Sequence, residues 1–294
     1  MPAAFKGQNN NQKKDYDMLF CDVAIQYLEK EKYNLAPLSV RTYYWNIKKI
    51  ADFRPELDCE DLTPALVQEY KFHLQKLGNK PATINKALSV FRIFTNKMVA
   101  DGLIATNPFD KVKIGRVYTR RGFLTMRELK SLYLNFNDKR QFLTETEQDV
   151  VRVFLFSCFT GLRYSDLKSL DAGEIFDWKI RKQMHKTGDP VYVPIPPQAR
   201  LLLPENMPSG KVFHVVENSH FNRTLRRASK KLGYLKHIHC HLARHTFATT
   251  CISLGIPLPA TSKLLGHRNL ETTLIYAKYV DTFLDKEMKK FNKL

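Results

Sequence analysis

This sequence lacks most features of a membrane, secreted or metal-dependent protein. Its longest apolar stretch, around residues 153–159, is far shorter than the ~20 residues that a membrane-spanning helix requires. Its start is polar and rich in Asn, Gln and Lys, without the apolar region of a signal peptide. The five cysteines form no CxxC pair and no even set, which favours reduced thiols. These absences predict a cytoplasmic protein that does not enter a membrane.

Acidic residues are also scarce in relation to basic ones. The chain has 29 Asp and Glu against 47 Lys and Arg, which gives a formal net charge of +18. So large an excess favours a polyanionic partner, with nucleic acid ahead of a membrane surface. Hydrophobic residues make up 44% of the chain, which is typical of globular proteins. A length of 294 residues indicates about two domains.

Helical periodicity dominates the first third of the chain. Apolar residues recur there at three- and four-residue intervals, and Thr63-Pro64 is a typical helix start. This pattern predicts a compact helical domain over residues 15–101, after a flexible leader over residues 1–14.

Residues 102–122 interrupt the periodicity with turn-forming residues and the basic run Arg116, Arg120 and Arg121. We predict a basic linker in this range. Its arginines either follow a phosphate backbone or lie on a solvated surface loop.

Helices return beyond the linker, together with a short β-hairpin. Thr125 with Glu128, and Thr144 with Glu147, have the spacing of helix-capping boxes. Residues 178–195 alternate apolar and polar side chains on both sides of a turn, which predicts the hairpin in an otherwise helical domain.

Arg163 is the first candidate for chemistry. A guanidinium stays charged and offers two parallel hydrogen bonds, which suits a phosphate group. Asp166, three residues later, could hold Arg163 in place. Taken alone, an ordinary surface ion pair at a helix start is the commoner meaning of this pattern.

Lys186 lies beside the hairpin turn, where an amine can extend toward a nucleic-acid groove. Lys179 and Lys182 on the first strand are rivals for such a role. A solvated turn lysine is the commoner fate of a residue in this position.

His241 and Arg244 are three residues apart, so they share one face of a helix. The interval from His241 to His245 matches the zinc-protease helix, but Leu242 occupies the position of its catalytic glutamate. We therefore predict no metal site and interpret His245 as a supporting imidazole.

His267 and Tyr276 are nine residues apart, which would place them on opposite faces of one unbroken helix. Gly266 can end one helix and Asn269 can cap the next. The predicted break would allow both side chains to serve one site.

In this order and local context, the residues resemble those of the tyrosine recombinase (phage integrase) family. The matching segments are residues 160–167, 186–188, 241–248 and 264–267, together with Tyr276; Ala243 stands where a larger aliphatic residue is frequent. The resemblance covers nearly the whole chain. It implies a mainly α fold with a small β-hairpin or sheet, arranged as a two-domain C-shaped clamp around DNA. Residues 15–101 would form the helical core-binding (SAM-like) domain, and residues 123–294 a mixed α/β catalytic domain that ends in an exchange tail.

The same resemblance implies a site-specific DNA recombinase for integration, excision or inversion, which cleaves and rejoins strands through a 3′-phosphotyrosyl intermediate. The implied catalytic residues are Arg163, Lys186, His241, Arg244, His267 and the nucleophile Tyr276, with Asp166 and His245 in support. In this mechanism Lys186 would protonate the departing 5′-oxygen, and His241 is the expected proton acceptor. No metal and no cofactor would be needed, and four protomers would assemble on two sites in double-stranded DNA, associated with the nucleoid. The alternatives are strand relaxation of the type IB topoisomerase kind and a non-catalytic DNA-binding regulator.

Base specificity is expected from the helices at residues 39–53 and 79–101 and from the basic helix around residues 222–231. The predicted DNA-binding residues are Arg41, Lys48, Lys86, Arg92, Arg116, Arg120, Arg121, Arg223, Arg226 and Arg227.

Overall fold

The computed structural model describes residues 18–115, 122–185 and 187–277. The chain divides into two compact units, residues 1–119 and 120–294. Lys186 and the three linker arginines lie outside the described residues, as do the predicted leader and the C-terminal tail. Among the described helices, none is both long enough and apolar enough to cross a membrane.

The first unit is helical, as predicted. Its α-helices are α1 (Phe20–Glu31), α2 (Pro37–Phe53), α3 (Pro64–Lys76) and α4 (Pro81–Ala100). Proline opens α2, α3 and α4, because its fixed φ suits the first helical turn and its missing N–H is not needed there. The ring of Phe91 packs edge-on against Phe20 and Tyr70, with centroids 4.8 and 5.9 Å away, and these rings join three helices into one core.

Part of the predicted linker belongs to this core. Phe109 is 1% exposed and its ring centroid lies 5.3 Å from that of Phe91, and Val112 is also buried. The buried amide of Asn107 is hydrogen-bonded to Asn96 at 2.5 Å and to Thr95 at 3.2 Å. Residues 102–115, the first part of the predicted linker, are therefore packed on the first core and do not form a free linker. Sequence periodicity could not reveal this, because isolated apolar residues between turns do not show what they pack against.

The second unit is built around a buried helix. Its elements are α5 (Met126–Lys139), α6 (Glu145–Thr160), α7 (Tyr164–Lys168), β1 (Ile175–Phe176), β2 (Lys179–Gln183), β3 (Pro190–Pro194), α8 (Pro197–Arg200), α9 (Asn218–Lys231), α10 (Cys240–Ser253), α11 (Leu258–Leu264) and α12 (Glu271–Ala277). Helix α6 is buried over most of its length and packs against α9 and α10. Both predicted capping boxes are confirmed at the starts of α5 and α6.

The predicted hairpin is also confirmed. β2 and β3 pair antiparallel with Ile180 opposite Val193, and β1 adds to the other side of β2. Burial alternates along β2 and β3, so one face of the sheet joins the core. β1 was not predicted, because a strand of two residues carries no alternation.

Candidate active site

The turn after α6 sets the position of Arg163. Gly161 has φ 71°, and a Cβ there would lie 2.5 Å from the ring of Phe247, so both the backbone angle and the space require glycine. Arg163 follows as the N-cap residue of α7. Its Nη1 is buried without a hydrogen-bond partner among the described residues. A buried cationic donor of this kind is suited to binding an anion.

Asp166 connects Arg163 to the hairpin. Its carboxylate is fully buried and accepts hydrogen bonds from the backbone N–H groups of Arg163 at 3.3 Å and His185 at 2.9 Å. The same carboxylate lies 3.9 Å from the Arg163 guanidinium. His185 immediately precedes Lys186. The Asp166 carboxylate therefore ties the residue before Lys186 to Arg163, the candidate for phosphate binding.

The two rival lysines are both engaged elsewhere. Lys182 is 8% exposed, and its Nζ donates to Glu174 at 2.8 Å and to the carbonyl of Ser169 at 3.1 Å. Lys179 Nζ contacts Asp177 at 2.5 Å. Both amines are held by carboxylates, which favours Lys186 for contact with a ligand.

Arg244 ties three parts of the site together from α10. Its Nη1 donates to the Gly161 carbonyl at 2.8 Å, and its Nη2 donates to the Leu265 carbonyl. The side chain is mostly buried, and burial and the nearby charge of Arg163 lower the pKa of its guanidinium to about 9. It still carries its charge at pH 7. Two positive charges are therefore held close to each other, an arrangement that an anion would stabilise.

Tyr276 contacts the same helix. Its hydroxyl is hydrogen-bonded to Nδ1 of His245 at 2.8 Å, and the side chain is 2% exposed. His245 follows Arg244 directly, so the phenol and the guanidinium belong to one cluster. The ionised form of Tyr276 would raise the pKa of Arg244. The sequence favoured His241 as the proton acceptor, whereas the imidazole in contact with the phenol is that of His245. His241 is exposed and lies in the first turn of α10.

His267 lies at the predicted helix break. α11 ends at Leu264, Gly266 has φ 59°, and the Asn269 side chain accepts a hydrogen bond from the Glu271 N–H at 2.8 Å as α12 begins. Nδ1 of His267 is hydrogen-bonded to the buried Thr273 hydroxyl at 2.8 Å. Thr273 precedes Tyr276 by less than one turn of α12. The break thus places His267 and the phenol on neighbouring elements of one site.

These contacts bring together most of the predicted site. Asp166 contacts Arg163, His245 contacts Tyr276, and the charges of Arg163 and Asp166 act on Arg244. His267 is bonded to Thr273 on the helix that carries Tyr276. His241 shares the α10 face of Arg244, while Lys186 lies outside the described residues.

The predicted DNA-binding residues that the structure describes are exposed: Arg41, Lys48, Lys86, Arg92, Arg223, Arg226 and Arg227. Exposure is compatible with contact to DNA, and the assignment stays a prediction. Arg116, Arg120 and Arg121 belong to the residues that the structure does not describe.

Arg227 also has a structural role. Its Nε donates to the buried Glu147 at 2.6 Å, and Lys231 donates to the other carboxylate oxygen at 2.7 Å. Burial raises the pKa of Glu147, but hydrogen bonds from Lys231, the Thr144 backbone and Arg227 outweigh it and hold the pKa at about 2. The carboxylate is charged at neutral pH and anchors α9 to α6.

Two residues near the site escaped sequence reasoning. Arg268 and Asp189 form a bidentate ion pair, with Nε–Oδ2 at 2.7 Å and Nη2–Oδ1 at 3.0 Å. Only their positions in the sequence could have drawn attention to them: Arg268 follows His267, and Asp189 lies in the hairpin turn. Neither signal indicates that the two residues meet across 79 positions.

A second feature of this unit is an apolar groove of about 1020 Å³. It is lined by α5, α6, β3 and α10, and Met126, Leu134 and Leu254 on its rim are 50, 46 and 56% exposed. An exposed apolar surface of this kind is typical of a docking site.

Two family profiles match the chain. Residues 123–282 match the phage integrase family, and residues 19–114 match the phage integrase SAM-like domain. The first match covers more than half of the chain. The second ends at residue 114, in agreement with the packing of Phe109 and Val112 on the first core.

Individual relatives agree with these matches. The chain is 29% identical over 232 residues to a tyrosine recombinase of Thermosipho africanus (73% of this chain, 80% of the relative). It is 27% identical over 292 residues to tyrosine recombinase XerC of Bacillus subtilis (92% and 93%). Its fold is similar to that of a lambda integrase tetramer bound to a Holliday junction, with a TM-score of 0.73 at 18% identity over 89% of this chain and 78% of that chain.

Proposed function

This chain belongs to the phage integrase family, and we propose that it is a site-specific DNA recombinase that uses Tyr276 as its nucleophile. The observation that carries the proposal is the cluster of two guanidiniums and one phenol. Arg163 and Arg244 are close enough for one charge to shift the pKa of the other, and Tyr276 contacts the imidazole next to Arg244. Clustered cations beside a phenol match the chemical needs of phosphoryl transfer to tyrosine.

In the proposed reaction, the Tyr276 oxygen attacks the scissile phosphorus and the bond to the 5′-oxygen breaks. The product is a 3′-phosphotyrosyl link and a free 5′-hydroxyl, which attacks the phosphotyrosine of a partner duplex. The energy of the broken ester is kept in the new ester, so no nucleotide hydrolysis is required.

The arginines offset the main energetic costs. Ionising a phenol of pKa about 10 at pH 7 costs roughly 4 kcal/mol. A charge-assisted hydrogen bond contributes about 1.5–3 kcal/mol, and donors aimed at developing charge act most strongly in the transition state. Nη1 of Arg163 is buried, has no hydrogen-bond partner in the part of the chain that the structure describes, and can provide such a bond. Arg244 is held by two carbonyls, so its charge is in place before substrate binds.

The imidazoles and the lysine move the protons. His245 contacts the phenol and is the nearest candidate for its proton, with His241 as the second candidate from the same helix. His267 is proposed to bind the phosphate and to orient α12 through Thr273. Lys186 is proposed to protonate the departing 5′-oxygen, because an alkoxide is a poor leaving group.

We further propose that the reaction needs no metal ion. The cationic side chains would supply the charge stabilisation that metal ions give other phosphoryl-transfer enzymes.

The full proposal is tested by incubating the protein with two copies of its DNA site in excess EDTA. We expect covalent protein–DNA adducts and recombinant products in which the two duplexes have exchanged the DNA that flanks the site. A strict metal requirement would contradict the metal-free mechanism. Relaxation of supercoils without a defined site would favour the topoisomerase alternative, and specific binding without any adduct would favour the regulator.

We also propose that protomers assemble on DNA by docking the C-terminal tail of one copy in the apolar groove of another. The tail, residues 281–294, carries Phe283, Leu284, Met288 and Phe291, which provide the apolar side chains that such a groove would accept. The relative bound to a Holliday junction is a tetramer, which supports an assembly of several protomers.

Leu134→Glu places a charge at the exposed rim of this groove. We expect it to abolish assembly on two DNA sites, because docking would bury the carboxylate, while binding of one protomer to one site persists. Native gel mobility with labelled DNA measures both. Leu201→Glu is the matched control, since Leu201 is 79% exposed and does not line the groove. Wild-type assembly by the Leu134→Glu protein would refute the proposed docking.

A further inference from the structure

Arg268 fastens the turn between β2 and β3 to the segment that carries His267. Its guanidinium holds both carboxylate oxygens of Asp189, and its Nη2 also donates to the Thr187 carbonyl at 2.6 Å. A planar guanidinium can make this fork of parallel bonds, whereas an ammonium cannot. The Arg268–Asp189 clip therefore fixes both the position and the orientation of the turn.

The clip is one of two tethers on either side of Lys186. On the preceding side, the His185 N–H is held by the buried carboxylate of Asp166, which also binds the Arg163 backbone. On the following side, Thr187 is held by Arg268. Both sequence neighbours of Lys186 are thus attached to segments that carry phosphate-binding candidates.

Stability alone does not account for this ion pair. The Arg268 side chain is 69% exposed and that of Asp189 is 33% exposed, and ion pairs this exposed contribute little to the free energy of unfolding. The hydrogen bond from Arg268 lowers the pKa of Asp189, and the charge of Arg163 acts in the same direction. The clip therefore lies within electrostatic range of the proposed phosphate site.

We propose that Arg268 is a positioning residue for DNA cleavage, which acts by clamping Asp189 and Thr187 so that the turn presents Lys186 to the departing 5′-oxygen. This inference rests on the proposed function, because it assumes that Lys186 is the acid. Arg268 itself touches neither the nucleophile nor the leaving group in this mechanism.

Direct contact between Arg268 and a DNA phosphate is the competing role, and Asp189 separates the two. If Arg268 acts through the Arg268–Asp189 clip, Asp189→Asn removes the carboxylate that the guanidinium holds, so it slows cleavage as Arg268→Gln does. Under direct contact, Asp189→Asn frees Arg268 and makes the surface more positive, so DNA binding tightens and cleavage does not slow.

The experiment measures single-turnover adduct formation by the full-length protein on its own DNA site, with either oxygen or sulfur at the bridging 5′ position. A thiolate leaves without an acid, so a defect that acts through Lys186 disappears on the sulfur substrate. The variants are Arg268→Gln, Asp189→Asn and the double variant. Lys263→Gln is the control, since Lys263 is an exposed cation in the last turn of α11.

We expect each single variant to be about ten- to a hundredfold slower on oxygen, the size of effect that small misplacements of catalytic groups produce. On sulfur, both should react within about twofold of wild type, and the double variant should be no slower than the slower single variant. Lys263→Gln should match wild type on both substrates.

Three results would overturn the inference. The first is an Arg268→Gln protein that loses the same factor in cleavage rate on the oxygen and sulfur substrates and whose DNA affinity depends less steeply on salt, by a slope of about one. That result would mean that Arg268 contacts a DNA phosphate. The second is wild-type cleavage by Asp189→Asn. The third is additive loss in the double variant. Absence of any adduct from the wild-type protein would instead refute the proposed function, so the two failures are distinguishable.

Discussion

Replacing Tyr276 by phenylalanine should abolish the covalent protein–DNA adduct while specific binding to the duplex persists. The phenol oxygen is the proposed nucleophile, and loss of a nucleophile reduces the rate of other covalent enzymes on the order of 10⁶-fold. The ring remains, so the packing of this 2% exposed side chain is kept. The lost hydrogen bond to His245 should cost about 1 kcal/mol of stability. Denaturing electrophoresis with end-labelled DNA detects the adduct, and gel mobility measures binding.

Tyr192→Phe is the matched control for this prediction. Tyr192 is 47% exposed on β3, so the change removes the same atom from a residue outside the proposed chemistry. Normal adduct formation is expected. An adduct that survives in the Tyr276→Phe protein would exclude this tyrosine as the nucleophile.

The same adduct assay can identify the proton acceptor. Removal of a general base slows a reaction by about 10²–10⁴-fold. We expect the larger loss from His245→Gln, because His245 is the imidazole in contact with the phenol. A larger loss from His241→Gln would return the role to the residue that the sequence favoured.

Replacing Lys186 by alanine should slow cleavage of ordinary DNA by about 10²–10⁴-fold, the usual contribution of a general acid. Sulfur at the bridging 5′ position should restore most of the rate, because a thiolate departs without a proton. The prediction rests on sequence position, and the structure adds that both rival lysines are held by carboxylates.

Lys179→Ala serves as the control for Lys186→Ala. Lys179 has a side chain that is 40% exposed and lies on the strand before the same turn. The Lys179→Ala protein should cleave both the oxygen and the sulfur substrates at wild-type rates. If sulfur fails to rescue Lys186→Ala, the acid is another group, and the role of the Arg268–Asp189 clip must be reassigned with it.

Local features of the fold followed from the sequence because their causes are local. The two capping boxes depend on side chains three residues apart, and the hairpin depends on alternation along a short segment. The break between His267 and Tyr276 depends on a glycine that tolerates positive φ and an asparagine that caps α12. Each feature is decided by neighbours along the chain, so a single sequence was sufficient to predict it.

The catalytic residue types were also readable from the sequence, but only as a joint pattern. Arg163 with Asp166 resembles a surface ion pair, and Tyr276 resembles a core aromatic residue. Their order and local context indicated the family, which the family matches then showed. Neither residue type alone distinguishes a catalytic site from ordinary packing.

What this sequence determined by itself was the set of elements, their caps and breaks, the positive charge and the order of the candidate catalytic residues. Tertiary structure decided which residues are in contact. It placed His245 at the phenol, Phe109 in the first core, and Arg268 on Asp189 across 79 positions. The physical reason is that caps, turns and periodicity arise from bonds within a few residues. Contacts between distant residues depend on how whole helices and strands pack, and no short segment contains that information.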